Sequence, residues 1–404
     1  MLRSKSLLAM PPLPVEQTEL FGVCPTHLRW GRSTAASRGL VIGLLCGFVL
    51  LSTTQIIIYS DTFRIKTQQL DDEQAPYFQA LIGQIVGIIL ATVLLLCFEG
   101  CGGAFATIRD LATKNVCCLF FLVFARSLSW ICRLGSGDLE GMTMHLSVMA
   151  FEPMLIPFLA LCFERERDGS LRQYGLWPCL FGNTSMPAWG VFPGLIVLIT
   201  AVVMSAADGP ATSPQASSAL GIAVSTFSEI ALCIEMVTVS VLMTKQTRLH
   251  ASLAAMWWAC LICTPFMVMM CYPTYHANNA LNYIQRQPGR AWTLYTVSAI
   301  NDSLVTLLRY VLVHLASSLT TAVGGTVAVQ IALITLDTLR VLHLWPAVKV
   351  AGVCLFPVGL LAHLWYMRER AGRLPPYTML VDAAGNTLES GTRSVNESSS
   401  LIKT

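Results

Sequence analysis

Long apolar runs, each close to the length of a bilayer crossing and set apart by short polar stretches, recur along most of the chain. A helix needs about 20 mainly apolar residues to cross the hydrocarbon core. Runs of that kind lie at 39–60, 77–98, 116–134, 143–163, 189–207, 218–243, 251–271, 293–316, 319–339 and 347–367. The pattern predicts an all-α integral membrane protein with ten transmembrane helices. A basic, Pro-containing segment at 1–38 precedes them and has no apolar core of the signal-peptide kind. Beyond the last run, 368–404 turns polar and reads as a disordered tail.

Isolated charges interrupt these runs near their midpoints: Arg126, Glu152, Glu229, Glu235, Asp302 and Arg309. A charge at bilayer depth costs about 2.5–3.5 kcal/mol on insertion scales, so such residues face a cavity or one another. That combination predicts a polytopic transporter, with structural pairing between neighbouring helices as the plainer reading of any single residue. Composition agrees: the chain is 54% hydrophobic, 12% charged and has a mean hydropathy of +0.61. That charged fraction is about half that of an average soluble protein. The net charge of +3 is spread over short loops rather than gathered into a nucleic-acid face.

Most of the 14 cysteines lie inside apolar runs and read as small buried hydrophobes. Cys260 and Cys263 form a CxxC without a partner pair or a nearby His, so neither metal nor redox chemistry is expected there. No Walker loop or GxGxxG occurs, which disfavours an ATP-driven pump and leaves no cofactor to expect. Intramembrane catalysis would want a His paired with an acid or a Ser/His set. His145 stands seven residues from Glu152, and His314 and His363 lie near span ends.

Most of the 26 Lys and Arg fall at the N-terminus, in the even-numbered loops and in the C-terminal tail. Positive residues favour the cytoplasmic side, so both termini are expected there. The loop at 272–290, carrying Arg286 and Arg290, dissents. The sequons at Asn183 and Asn396 then face the cytoplasm and stay unmodified. In the tail, Glu397, Leu401 and Ile402 have the spacing of an acidic dileucine signal read by sorting adaptors of lysosomal or vacuolar proteins.

The spans divide five plus five, into halves at 39–207 and 218–367. From Leu146 and from Leu319 the two halves share a register: Leu-Ser or Leu-Thr opens a span, and Glu164 or Asp337 closes it 18 residues later. With five helices per half the second copy enters the membrane inverted, the construction expected for alternating access around a midplane site.

The five-plus-five count, Glu-Arg-Glu-Arg at 164–167, Ser-Ser-Leu-Thr-Thr-Ala-Val-Gly-Gly-Thr at 317–326 and the spacing of Gly352 and Gly359 resemble the drug/metabolite transporter superfamily over about residues 39–370. Two of its groups compete. Nucleotide-sugar and sugar-phosphate transporters share the 317–326 run, but the cations they carry are replaced here by Thr54-Gln55, Met149 and Ala328. The chloroquine-resistance-transporter-like group is the more similar, through Ala291-Trp292, the Ala-Ile-Asn-Asp-Ser-Leu-Val-Thr run at 299–306 and Val-Gln-Ile-Ala at 329–332. Departures from it are Arg126 where an acid stands, Gln330 in place of Pro, and no paired cysteines at 272–290.

The resemblance implies a secondary active transporter of amino acids, peptides or cationic drugs and metabolites across a lysosomal, vacuolar or other endomembrane. A nucleotide-sugar or sugar-phosphate antiporter of the Golgi or ER is the alternative. Four acids against two bases suit a cation or protons. A substrate site is expected from Arg126, Glu152, Glu229, Asp302 and Arg309, with Asp302 or Glu229 coupling solute to protons and Arg126 holding a substrate carboxylate or pairing with Glu152. Glu229 and Glu235, six residues and about 240° apart, cannot share a face; Glu229 is expected on the cavity and Glu235 in a pair with a neighbouring helix. Asp302 and Arg309 share a face, as do Arg126 and Arg133. Trp130, Phe227, Trp257, Trp258 and Tyr295 are candidates for shaping the pocket, Gly324 and Gly325 for close helix approach, and Pro153 and Pro157 for kinking the fourth span.

Overall fold

The computed structural model of the chain describes residues 35–67, 76–136, 142–163, 191–206, 219–244, 250–271, 276–316, 318–339, 347–373, 379–381 and 387–389. Each predicted apolar run is helical over its described residues, apart from turns at Ala150 and Phe151 and at Ala316. In chain order the helices are α1 (Ala35–Thr67), α2 (Pro76–Lys114), α3 (Val116–Ser136), α4 (Met142–Met149), α5 (Glu152–Phe163), α6 (Val191–Ala206) and α7 (Ala219–Thr244). They continue with α8 (His250–Cys271), α9 (His276–Arg286), α10 (Pro288–Leu315), α11 (Ser318–Leu339) and α12 (Ala347–Arg373). Among the described residues eight helices (α1, α2, α3, α7, α8, α10, α11 and α12) are long and apolar enough to cross a membrane. This is a multi-pass membrane protein. Shorter apolar helices stand at the predicted fourth and fifth spans, at His145–Leu159 and Phe192–Ala206.

The fourth span is in two pieces for a local reason. Pro153 has no N–H for the carbonyl of Met149, and its ring crowds that turn. The backbone instead closes a tighter step, Phe151 N–H donating to Val148 O at 3.0 Å, before α5 resumes. Glu152 thus opens a helix, where a carboxylate complements the free N–H groups.

Three expectations are corrected outside the spans. The loop predicted between the second and third spans is helical: α2 continues past Gly100, whose φ of 69° is left-handed and easy for glycine, and only Asn115 separates it from α3. The stretch 272–290 carries α9. In the tail, β1 (Met379–Val381) pairs antiparallel with β2 (Thr387–Glu389), which departs from the disorder predicted there. The 164–167 motif, both sequons and the Glu397, Leu401 and Ile402 signal lie outside the described residues.

Burial separates the helices by role. In α7, α10 and α11, 61% of the spanning window is buried, against 28% in α1, α2 and α12. The outer helices turn Leu50, Phe98 and Leu361 outward. Helix α12 lies against α6, α2 against α8, α3 against α7 and α8, α10 against α1 and α2, α11 against α1 and α5, and α5 against α7. At the α6–α12 contact a Cβ on Gly352 would sit 2.6 Å from Ala201 O, and one on Gly359 2.6 Å from Leu198 N, so only glycine permits this approach. Polar side chains tie the centre together: Asn301 Nδ2 donates to Gln55 Oε1 at 2.6 Å and to Leu51 O at 3.0 Å, and Gln330 Nε2 donates to Ser205 Oγ at 2.9 Å.

A candidate functional site in the central cavity

A central cavity lies between α1, α3, α4, α5, α7, α10 and α11. Its wall carries Arg126, Arg133, His145, Glu152, Glu235, Asp302 and Arg309 beside Gln55, Ser129, Trp130 and Thr306. Three arginines therefore face three acids. The balance of two bases against four acids is corrected, because Arg133 joins the wall and Glu229 does not line it.

Arg126 is the most fully used of these groups. Its Nη1 sits 2.9 Å from Glu235 Oε1, its Nε donates to Gln84 Oε1 at 3.2 Å, and its Nη2 donates to Thr306 Oγ1 at 3.3 Å. The same Glu235 oxygen accepts from Tyr310 Oη at 2.7 Å. One guanidinium thus joins α2, α3, α7 and α10, and Arg126 and Glu235 are 2% and 1% exposed. The expected alternative partner, Glu152, is replaced by Glu235, because the face of α7 that meets α3 carries Glu235 at this depth.

Glu229, six residues earlier on α7, is buried behind Glu152 and Arg133 rather than on the cavity wall, which corrects its expected place there. Its Oε1 is 3.9 Å from Arg133 Nη2. Its carboxyl adjoins that of Glu152. Glu152 itself lines the cavity, with room made by Gly325 on α11, where a Cβ would stand 3.1 Å from Oε2. Cys233 Sγ contacts Glu152 O at 3.8 Å, and His145 Nδ1 is 2.9 Å from Ser225 Oγ.

Asp302 and Arg309 occupy the same face of α10 and both line the cavity. Among the described residues neither makes a hydrogen bond or a close ion pair. Asp302 feels Arg126, Arg309 and Arg133 only at longer range, and it fits beside α2 because Gly83 has no Cβ, which would stand 3.1 Å from Oδ2. These two charges are free to engage something in the cavity.

Of the aromatic candidates, Trp130 lines the cavity and Phe227 faces outward, 61% exposed. Trp257 and Trp258 lie edge to face, their Nε1 groups donating to Thr92 Oγ1 and Ile108 O in a separate groove with Phe105 and Arg109. Tyr295 packs against Phe78 and Tyr283. Gly324 packs against Leu45 and Phe48. Cys260 and Cys263 are free thiols buried in α8, Cys260 Sγ lying 3.8 Å from Arg126 Nη2. The residues passed over as site candidates were Gln55 and His145, whereas Glu235, read as pairing with a neighbouring helix, does so with Arg126 and lines the cavity as well. Arg133 was signalled by its seven-residue spacing from Arg126.

No protein-family model matches the chain, and no curated protein does. The chain is similar to a solved structure described only as a crystal structure of a protein, with a TM-score of 0.50 and 13% identity, over 80% of this chain and 99% of the other. At that identity the likeness is one of fold alone.

Proposed function

We propose that the chain is a secondary active transporter, not an enzyme, which carries a small organic solute across a membrane by alternating access to the central cavity. The observation that carries this reading is the pair Asp302 and Arg309, two cavity-lining charges at membrane depth without a partner among the described residues. Charges of that kind are retained where something polar must pass. An opposed acid and base suit a solute bearing both an amine and a carboxylate, or a cation seated on Asp302 and Glu152. Amino acids, short peptides and cationic drugs or metabolites are the solutes in question, with proton coupling through a buried acid, Asp302 on the cavity wall or Glu229 behind it.

The helix pairing supports the inverted five-plus-five repeat. Counting α4 with α5 as the broken fourth span and leaving α9 out, exchange of each span for the one five places away maps the most extensive helix contacts onto one another. The α2–α8, α6–α12 and α5–α11 pairs return unchanged, α3–α7 becomes α10–α1, α10–α2 becomes α3–α8, and α11–α1 becomes α5–α7. Resemblance to the drug/metabolite transporter superfamily, and to its chloroquine-resistance-transporter-like group, rests on the sequence runs alone. So do the cytoplasmic termini and an endomembrane address read by adaptors at Glu397, Leu401 and Ile402. A second reading, exchange of nucleotide sugars or sugar phosphates, is favoured by the three arginines on the wall, although Arg126 is already engaged.

The test is uptake by purified protein in proteoliposomes under an imposed pH gradient, with amino acids, peptides and cationic drugs set against nucleotide-sugar exchange. Gradient-driven flux of the first panel, lost in Asp302→Asn, is expected. Exchange of a nucleotide sugar for its monophosphate would select the second reading, and no flux of either kind would remove both.

A further inference from the structure

The break in the fourth span brings together two acids that the Asp302 and Arg309 pair does not use. Glu152 opens α5 on the cavity wall. Glu229 reaches the same point from α7, 1% exposed, and neither of its oxygens has a hydrogen-bond partner. Cys233, one turn after Glu229 on the same face of α7, meets Glu152 O at 3.8 Å, which sets the two carboxyls side by side. Two ionised carboxylates offer each other only acceptors, so the contact becomes a hydrogen bond only with a proton between them.

The surroundings of the pair are mixed. From α3 comes Arg133, its Nη2 3.9 Å from Glu229 Oε1. From α10 Arg309 acts at longer range. From α7 Cys233 touches the backbone of Glu152, from α4 His145 is held by Ser225, and α11 contributes Gly325, which carries no charge. Arg133 is too far from Glu229 for a hydrogen bond, yet near enough to balance its charge once a proton has left.

We propose that Glu152 and Glu229 form a carboxyl pair that holds one proton between them, and that this proton is the one exchanged with the cavity when solute is carried. The proton leaves from the cavity-lining Glu152 side, both carboxylates are then ionised, and Arg133 and Arg309 supply the compensating charge. Its return restores the hydrogen bond. Asp302, which feels three arginines and, at longer range, a Glu235 already paired with Arg126, is left to bind solute. The coupling half of this proposal rests on the transporter reading; the shared proton does not.

The experiment has two arms. In the first, infrared spectra of the purified protein at neutral pH are compared for wild type, Glu152→Gln, Glu229→Gln and Asp302→Asn. A protonated-carboxyl stretch shifting in deuterium oxide is expected in wild type and Asp302→Asn and absent from both Gln variants. A stretch that survives in either well-folded Gln variant overturns the pair, and so does its absence from wild type. In the second arm, solute accumulation under a gradient of about one pH unit is measured against exchange at equal pH. One coupled proton supports about tenfold accumulation, since 1.4 kcal/mol is a factor of ten. Wild type is expected to reach it, and the ratio of gradient-driven accumulation to equal-pH exchange should fall about tenfold in Glu229→Gln. An unchanged ratio there overturns the coupling role. Absence of all flux from wild type overturns the transporter reading, and the infrared arm then decides the pair alone.

Discussion

Two parts of one cavity wall treat charge in opposite ways. Where α3 meets α7, Arg126 is matched by Glu235, Gln84 and Thr306, and Glu235 by Tyr310, so that every strong group there has an answer. On the face of α10, Asp302 and Arg309 have none, and at the start of α5 Glu152 faces another acid. The saturated part behaves as a tie between helices. The unsaturated part has affinity to spare for a solute or a proton.

The contrast can be broken most severely from the saturated side. Glu235→Ala strands a buried guanidinium, and breaking such a pair costs about 3–5 kcal/mol; thermal unfolding of the detergent-solubilised protein should fall sharply. The apolar double variant Arg126→Met with Glu235→Leu should recover much of that loss, because removing both charges removes the desolvation cost as well. If Glu235→Ala melts like wild type, the tie is not structural.

A second test lies away from the cavity and calibrates the first. Gly352→Val forces a side chain into a gap whose far wall is backbone 2.6 Å away, and overpacking of this kind costs about 1–3 kcal/mol. A lower melting temperature with cavity chemistry intact is expected, read as reduced stability without a change in solute selectivity. Normal stability would mean that α6 and α12 are farther apart than described.

The smallest effect on stability is expected on the unsaturated face. Asp302→Asn breaks no hydrogen bond or close ion pair, so its melting temperature should stay within the shift expected of about 0.5 kcal/mol, as for changes that disturb no packed feature, while uptake is lost. A large destabilisation would show that Asp302 has a structural partner and would erase the distinction between the two regions.

Much of this was legible in local sequence. Run length marked the helices, Pro153 announced the broken span, and the seven-residue spacings of Arg126 with Arg133 and of Asp302 with Arg309 placed each pair on one face. The continuation of α2 beyond Gly100 was not legible, because glycines and polar residues there resemble a loop as readily as a kinked helix. Of the two α7 acids, Glu235 does pair with a neighbouring helix, through Arg126, but it rather than Glu229 also lines the cavity; their angular separation was right, but it says nothing about which face meets α3.

By itself, then, the sequence determined that the chain is a set of apolar helices carrying a few buried charges, because span length and the cost of burying charge are properties of single segments. Only the tertiary structure decided which charges answer one another. In a bilayer the lipid is as apolar as the bundle interior, so hydrophobicity does not rank the faces of a helix. Their rotation is settled by contacts such as Gly352 against Ala201, Asn301 on Gln55 and Arg126 on Glu235, each joining residues more than a hundred positions apart.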